Sequence, residues 1–207
     1  MSEETSDVDA QYPTVPLERL ENSGWALRDE RLEVRARVMG VTVHAHERRF
    51  EDDGLRERVR AGGGPDHLWR LFYATRLTFS PSLPPAFGPA MALPKVRSAA
   101  CEEFADQLRD EGLTDVEQGD DERIETDSGA QAKVTRYDAT LPVETDNDQC
   151  EVPMEGWIGI WNDDAMLLAG GLYPTESLAE ALSIPDVDYD PEGSHEKLRA
   201  LIRQVNA

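Results

Sequence analysis

The segment from Arg31 to Ala45 constrains the fold more than any other stretch, because apolar residues recur at every second position. The apolar positions are Leu32, Val34, Ala36 and Val38, followed by Val41, Val43 and Ala45. A period of two is typical of a β-strand with one buried face. Between the two runs, Met39 and Gly40 form a two-residue turn of the X-Gly kind. The sequence therefore predicts a β-hairpin with one apolar and one charged face.

The rest of the chain predicts further hairpins with helices inserted between them. Strands are predicted over residues 67–80, 122–126 and 132–142, and a second hairpin over 155–174 turns at residues 162–164. Helices are predicted after Asp52 or Asp53, over residues 96–111, near 176–182 and over about 192–205. Consecutive hairpins covered by helices indicate an α+β fold with an antiparallel β-sheet and argue against a βαβ nucleotide-binding fold.

From Val96 onward, a helix, strands, a hairpin and a C-terminal helix follow one another. This order resembles the α/β/α sandwich of the PsbP/Mog1 type over about half of the chain. The chain as a whole is similar to uncharacterised proteins of haloarchaea. The first resemblance implies a fold, and neither implies an activity, a cofactor or a catalytic residue.

The charge balance indicates the setting in which the protein works. The chain has 42 acidic and 21 basic residues and a net charge of −21, and only three of the basic residues are lysines. This composition resembles that of cytosolic proteins from salt-accumulating archaea. Self-repulsion of this size is tolerable where salt screens it, since the Debye length falls to about 3 Å at 1 M. We therefore expect a salt-adapted protein.

The chain is expected to contain an acidic disordered tail over residues 1–12 and one globular domain over 13–207. The N-terminus lacks the basic and apolar regions of a signal peptide. The longest apolar run has nine residues, fewer than the roughly 20 that a membrane-spanning helix needs. Cys101 and Cys150 fit neither a disulfide framework nor a metal-binding spacing. A cytoplasmic protein without a membrane partner is expected.

A cationic surface is predicted on the first hairpin. Pairing the strands without interruption from the turn places Arg35 opposite His44 and Glu33 opposite His46. Six side chains would then share one face, the Arg/His strip: Arg31, Arg35, Arg37, His44, His46 and Arg48. The strip could hold a small anionic ligand, or acidic helices could pack over it and neutralise it. A metal ion is not expected beside so many arginines.

A second candidate surface is apolar and serves as a possible protein contact. It combines a proline-rich segment over residues 81–94 with the second hairpin, through Leu83, Phe87, Met91, Trp157 and Trp161. The segment could fold back onto the sheet or form a lid. The two tryptophans share one strand face with Gly159 between them, which could instead be a packed core position.

No catalytic, metal or cofactor signature is present in the sequence. The run from Asp186 to Asp190 resembles a calcium loop, but Pro191 and Lys197 occupy the positions of the required glycine and glutamate. Nucleic acid is disfavoured as a partner, because the second half of the chain is acidic and phosphate-driven binding weakens in salt.

We therefore expect a salt-adapted binding or accessory protein, more plausibly a non-enzyme, whose partner is an unknown protein or a small anionic ligand. One alternative is an anion-binding protein or small enzyme that uses the Arg/His strip, with His44 or His46 as the acid–base group. The other is a structural subunit that self-associates through its apolar segment.

Overall fold

A computed structural model describes residues 12–38, 40–82, 89–145, 149–185 and 187–207, with the backbone alone for Val38 and residues 89–92. Of the predicted tail, only Tyr12 is within these ranges. Met39 of the turn, Leu83, Phe87 and Asp186 are also outside them. Met91 lies in a helix, but its side chain is outside the description.

The described residues form seven strands and five helices. The strands are β1 (Trp25–Val38), β2 (Val41–Asp52), β3 (Leu71–Ser80), β4 (Thr114–Glu125), β5 (Gln131–Glu144), β6 (Gln149–Asp163) and β7 (Ala165–Pro174). The helices are α1 (Leu17–Asn22), α2 (Asp53–Ala61), α3 (Pro89–Asp110), α4 (Leu178–Ala181) and α5 (Pro191–Arg203).

All seven strands belong to one antiparallel sheet, in the order β1-β2-β3-β7-β6-β5-β4. The predicted α+β class with an antiparallel sheet is therefore confirmed. Helices cover both faces. The core on one face includes residues of α2, α3 and α4, and the core on the other includes residues of α1 and α5.

Local sequence explains where the helices begin. The Asp52 carboxylate accepts a hydrogen bond from the Leu55 backbone N–H at 2.8 Å and caps α2, as predicted. Asp190 caps α5 by accepting from the Gly193 N–H at 3.0 Å, and Pro191 occupies the first turn. Helix α3 begins at Pro89, so the second half of the proline-rich segment is helical rather than an irregular connection.

The predicted register of the first hairpin is correct near the turn and wrong beyond it. Ala36 pairs with Val43 as predicted, but a β-bulge at Arg35 shifts the next pair, and His44 lies opposite Val34. A bulge inserts one unpaired residue and changes the face of every side chain that follows. Residues 29–34 of β1 are therefore turned over relative to the prediction, and a second bulge between Leu27 and Asp29 reverses the faces again.

The shift changes which side chains of β1 are covered. His46 lies opposite Leu32, and Glu47 lies opposite Arg31. Leu32 and Val34, predicted to be on the apolar face, are 56% and 49% exposed.

No described helix is long and apolar enough to span a membrane.

Candidate functional site

The Arg/His strip is divided between the two faces of the sheet. Arg31 and Arg35 lie on the face covered by α3, where both approach Glu47. The other four residues of the strip lie on the opposite face: Arg37, His44, His46 and Arg48. The prediction that all six residues share one face is therefore wrong, because it did not include the bulge.

The two histidines lie in a polar and partly covered environment. His46 is buried, with Nε2 3.1 Å from Thr78 Oγ1 and its ring edge-on to Tyr12. Burial lowers the pKa of His46, and the positive charges of His44 and Arg76 lower it further. The alternative with His44 or His46 as the acid–base group and Arg35 and Arg37 as the anion clamp fails for Arg35, because the sheet separates its side chain from both histidines. Arg37 lies on the same face as the histidines.

A buried carboxylate organises the arginines on the α3 face. Glu47 accepts hydrogen bonds from Arg31 Nε at 3.0 Å and Nη2 at 2.7 Å, and from Thr75 Oγ1 at 3.2 Å. Arg35 Nη2 lies 3.4 Å from the second carboxylate oxygen. The Glu47 side chain is only 7% exposed, and a buried charge of this kind needs such partners. These four residues, Arg31, Arg35, Glu47 and Thr75, are the Glu47 cluster.

The Glu47 cluster lies in a groove between α3 and the strands β1 to β3. The groove has a volume of about 660 Å³, with Leu71 and Tyr73 on the sheet side and Phe104 and Leu108 on the helix side. Burial raises the pKa of the Tyr73 hydroxyl well above its usual range, and the charge of Glu47 adds to this effect. The groove thus combines an apolar floor with a charged wall.

Ion pairs connect the two sides of this groove at its rim. Arg35 Nη1 donates to Glu103 on α3, and Arg49 Nη2 donates to Glu111 at 2.7 Å. The Glu103 side chain is 42% exposed, and such surface pairs contribute little free energy. A competing anion could therefore replace Glu103 on Arg35 at small cost.

A second groove, of about 540 Å³, lies on the other side of α3 against β4 and β5. Arg97 donates to Thr135 Oγ1 at 3.0 Å and to Asp121. Partial burial opposes the ionisation of Asp121, but hydrogen bonds from Thr135, Lys133 and Arg97 outweigh it and lower its pKa to about 2. Here the arginine is held by an accessible aspartate of the edge strand rather than by a buried carboxylate.

The tryptophans of the second hairpin do not form a contact surface. Trp161 is fully buried, and Trp157 is nearly so, in the core that includes α5. A Cβ atom on Gly159 would lie 2.8 Å from Val134 and 3.1 Å from Ile202, so these side chains fill the gap between the indoles. The partner-surface prediction is wrong for both tryptophans, and the core-packing alternative is correct.

The structure also forms a polar cluster that the sequence did not indicate. One carboxylate oxygen of Glu155 accepts from Trp157 Nε1 at 2.7 Å and from the Tyr173 hydroxyl, and lies 3.2 Å from His195 Nδ1. His195 belongs to α5, whereas the other groups belong to the sheet. The carboxylate therefore ties the C-terminal helix to the sheet, which is a structural role.

No group of three or more histidine, cysteine, aspartate or glutamate side chains within the described ranges could hold a metal ion. The lining of the α3 groove contains three arginines and seven acidic residues, namely Arg31, Arg35, Arg49, Glu33, Glu47, Glu102, Glu103, Asp106, Asp110 and Glu111. Sequence reasoning identified Arg31 and Arg35 but assigned no role to Glu47 or Glu103. The sequence position of Glu47 could have indicated that it is covered, because it continues the alternating apolar positions Val43 and Ala45.

Comparison with known proteins places the whole described domain in one family. No curated protein and no solved structure matches the chain. A family model covers residues 12–206. The chain therefore belongs to the family described as Domain of unknown function (DUF6517).

Proposed function

We propose that the protein is a salt-adapted cytosolic binding or accessory protein that takes a small ligand bearing a carboxylate or phosphate group in the α3 groove. The observation that carries this proposal is the buried Glu47, which holds two guanidinium groups at the wall of the groove. An anion would contact the outward N–H donors of Arg31 and Arg35 in place of the exposed Glu33, which lies 3.4 Å from Arg31 Nη1 and 3.2 Å from Arg35 Nη1.

The Glu47 cluster supports binding because its arginines are held before a ligand arrives. Arg31 is fixed by two hydrogen bonds to one carboxylate oxygen. A planar guanidinium has five N–H donors and forms bidentate pairs with carboxylates and phosphates. Holding such a group in place reduces the conformational entropy that binding costs.

The size and lining of the groove favour a small organic anion. Its volume of about 660 Å³ lies within the range of about 300–1,000 Å³ that is typical of ligand sites. Tyr73 and Phe104 line it beside the charged groups, of which three are arginines and seven are acidic. This lining suits a ligand with an apolar body and one anionic end that contacts the guanidinium groups directly. A duplex is disfavoured by the net charge of −21.

The salt-adapted and archaeal setting is also part of the proposal. It is supported by the charge of −21 and by the presence of only three lysines, because compact acidic proteins need screening by salt. The likeness to the PsbP/Mog1 sandwich remains a prediction at the level of the fold.

The proposal is tested by thermal shift in about 1 M KCl, where long-range repulsion is screened, with inorganic phosphate and a series of small carboxylates. We expect at least one of these anions to raise the Tm of the wild type and the R35A variant to lose this shift. R28A is the matched control, because Arg28 lies on the same strand and also pairs with carboxylates, Glu51 and Asp53, but is not part of the groove lining.

The E103Q variant provides an opposite expectation. It removes one of the two accessible carboxylates on Arg35 Nη1, the other being Glu33 at 3.2 Å. We therefore expect anion affinity to rise by up to about fivefold, which corresponds to a surface ion pair of about 1 kcal/mol. The proposal fails if no anion stabilises the wild type, or if R28A and R35A lose the stabilisation equally.

A further inference from the structure

The outer edge of the sheet at β1 is open. Within the described part of the chain β1 pairs with β2 alone, so its other side presents unpaired backbone N–H and C=O groups. Such an edge is a template for pairing with another strand. Bulges follow Leu27 and Val34 in the pairing with β2, and the segment Glu30–Val34 between them is regular.

The side chains on this regular segment are unusual for an exposed edge. Leu32 and Val34 point away from the α3 face, with Leu27 nearby on the strand, and all three are exposed. Natural edge strands are protected by charges, prolines and bulges; here Arg31 and Glu33 project to the α3 face, so Leu32 and Val34 on the other face have no charged residue between them. Exposed apolar side chains on an open edge therefore indicate that another surface covers them.

The charge of β1 permits contact between two copies of this acidic chain. Strand β1 carries four basic and three acidic residues, whereas β4, at the opposite edge, carries six acidic residues and one basic residue. Two β4 edges would repel each other strongly. The near-neutral β1 edge is thus the one at which a second copy can approach.

We propose that two copies of the chain associate through their β1 edges, in an antiparallel pairing with Leu32 on the two-fold axis. Each residue i of Glu30–Val34 then lies opposite residue 64 − i of the partner copy. Leu32 meets Leu32, and Arg31 meets Glu33 at two symmetric positions. The pairing extends each seven-stranded sheet into the other and brings the exposed Leu32 side chains of the two copies into contact.

The charge pattern selects this register over its neighbour. Residues directly opposite each other in an antiparallel pair project to the same face of the sheet. The register can therefore shift only in steps of two residues. Centring it on Glu33 would place Glu33 opposite Glu33 and Arg31 opposite Arg35. Like charges directly opposite each other are destabilising, whereas the Leu32-centred register pairs opposite charges.

Sedimentation as a function of protein concentration measures the association. Two bodies of charge −21 repel each other less when the Debye length falls from about 10 Å at 0.1 M to about 3 Å at 1 M salt, so we expect dimerisation to strengthen in high KCl. The L32K variant should raise the dissociation constant more than about tenfold. Its Tm should equal that of the wild type at protein concentrations where both are monomeric, because Leu32 is exposed. L17K, at an exposed leucine on α1, is the control and should still dimerise.

Cross-linking tests the register itself. Opposite Cα atoms in an antiparallel pair lie about 4.5–5.5 Å apart, which a disulfide can bridge. In a C150S background we expect L32C to form a disulfide-linked dimer under mild oxidation, whereas L17C should form no disulfide-linked dimer. A wild type that stays monomeric at high concentration and salt overturns the proposal, as does a dimer that L32K leaves intact. A dimer in which L32C does not cross-link overturns the register.

Discussion

Replacing Glu47 with glutamine tests whether a buried carboxylate organises the α3 groove. Glutamine keeps the shape of the side chain but removes the charge that Arg31 and Arg35 share. Hydrogen bonds to charged groups contribute about 1.5–3 kcal/mol, and Arg31 and Arg35 remain 36% and 25% exposed, so water can partly replace the carboxylate. We therefore expect E47Q to lower the free energy of unfolding by about 2 kcal/mol.

This loss is large enough to measure by thermal unfolding. For a chain of 207 residues, 1 kcal/mol corresponds to a change of about 2–4 °C in Tm. We expect E47Q to lower Tm by about 4–8 °C. Unfolding is measured by circular dichroism at low salt and at about 1 M KCl. Because the Glu47 carboxylate is buried, the difference from the wild type should persist at the higher salt concentration.

The matched control is E103Q, which removes an accessible carboxylate on the same arginine. An exposed pair contributes about 0–1 kcal/mol and is screened by salt, so E103Q should lower Tm only slightly and not at all in about 1 M KCl. The argument is refuted if E47Q and E103Q shift Tm equally, or if salt abolishes the effect of E47Q.

Three further predictions concern the core and the ion pairs, each measured by denaturant or thermal unfolding. G159A should cost about 1–3 kcal/mol by overpacking, since its Cβ would lie 3.1 Å from Ile202; an unchanged midpoint would contradict this packing. The pKa of Asp121 is lowered to about 2, so its stabilising effect is present above about pH 4 and is lost as the pH falls towards 2. The stability difference between wild type and D121N should disappear over that window, and a constant difference would refute the assignment. R70M leaves Asp52 buried without its ion pair and should cost about 3–5 kcal/mol, whereas D52N/R70M should recover part of the loss because asparagine also caps helices.

Outside the first hairpin, residue order alone predicts which side chains of a strand share a face. A strand was predicted over residues 67–80, and its alternating residues Trp69, Leu71, Tyr73, Leu77 and Phe79 all pack into the core that includes α3. The period of two fixes which residues of an uninterrupted strand share a face. The same logic separated the two tryptophans of β6 from the isoleucines beside them.

The candidate site was only half predictable. Arg31 and Arg35 were identified from their charge, but their partner Glu103 is 68 residues from Arg35 in sequence. Periodicity reports the faces of one element and says nothing of which helix packs over it. The burial of Glu47 could have been predicted from the sequence, because its position continues the covered face of β2.

The sequence by itself therefore determined the class of the fold, the acidic surface and the strands, since these depend on local periodicity and composition. The tertiary structure decided the register of the first hairpin, and with it the site. The bulge at Arg35 turns this side chain towards Glu47 and Glu103 and leaves Leu32 and Val34 exposed at the edge. A one-residue shift reverses the side chains that follow it, and the alternation of apolar residues along the strand does not show where that shift occurs.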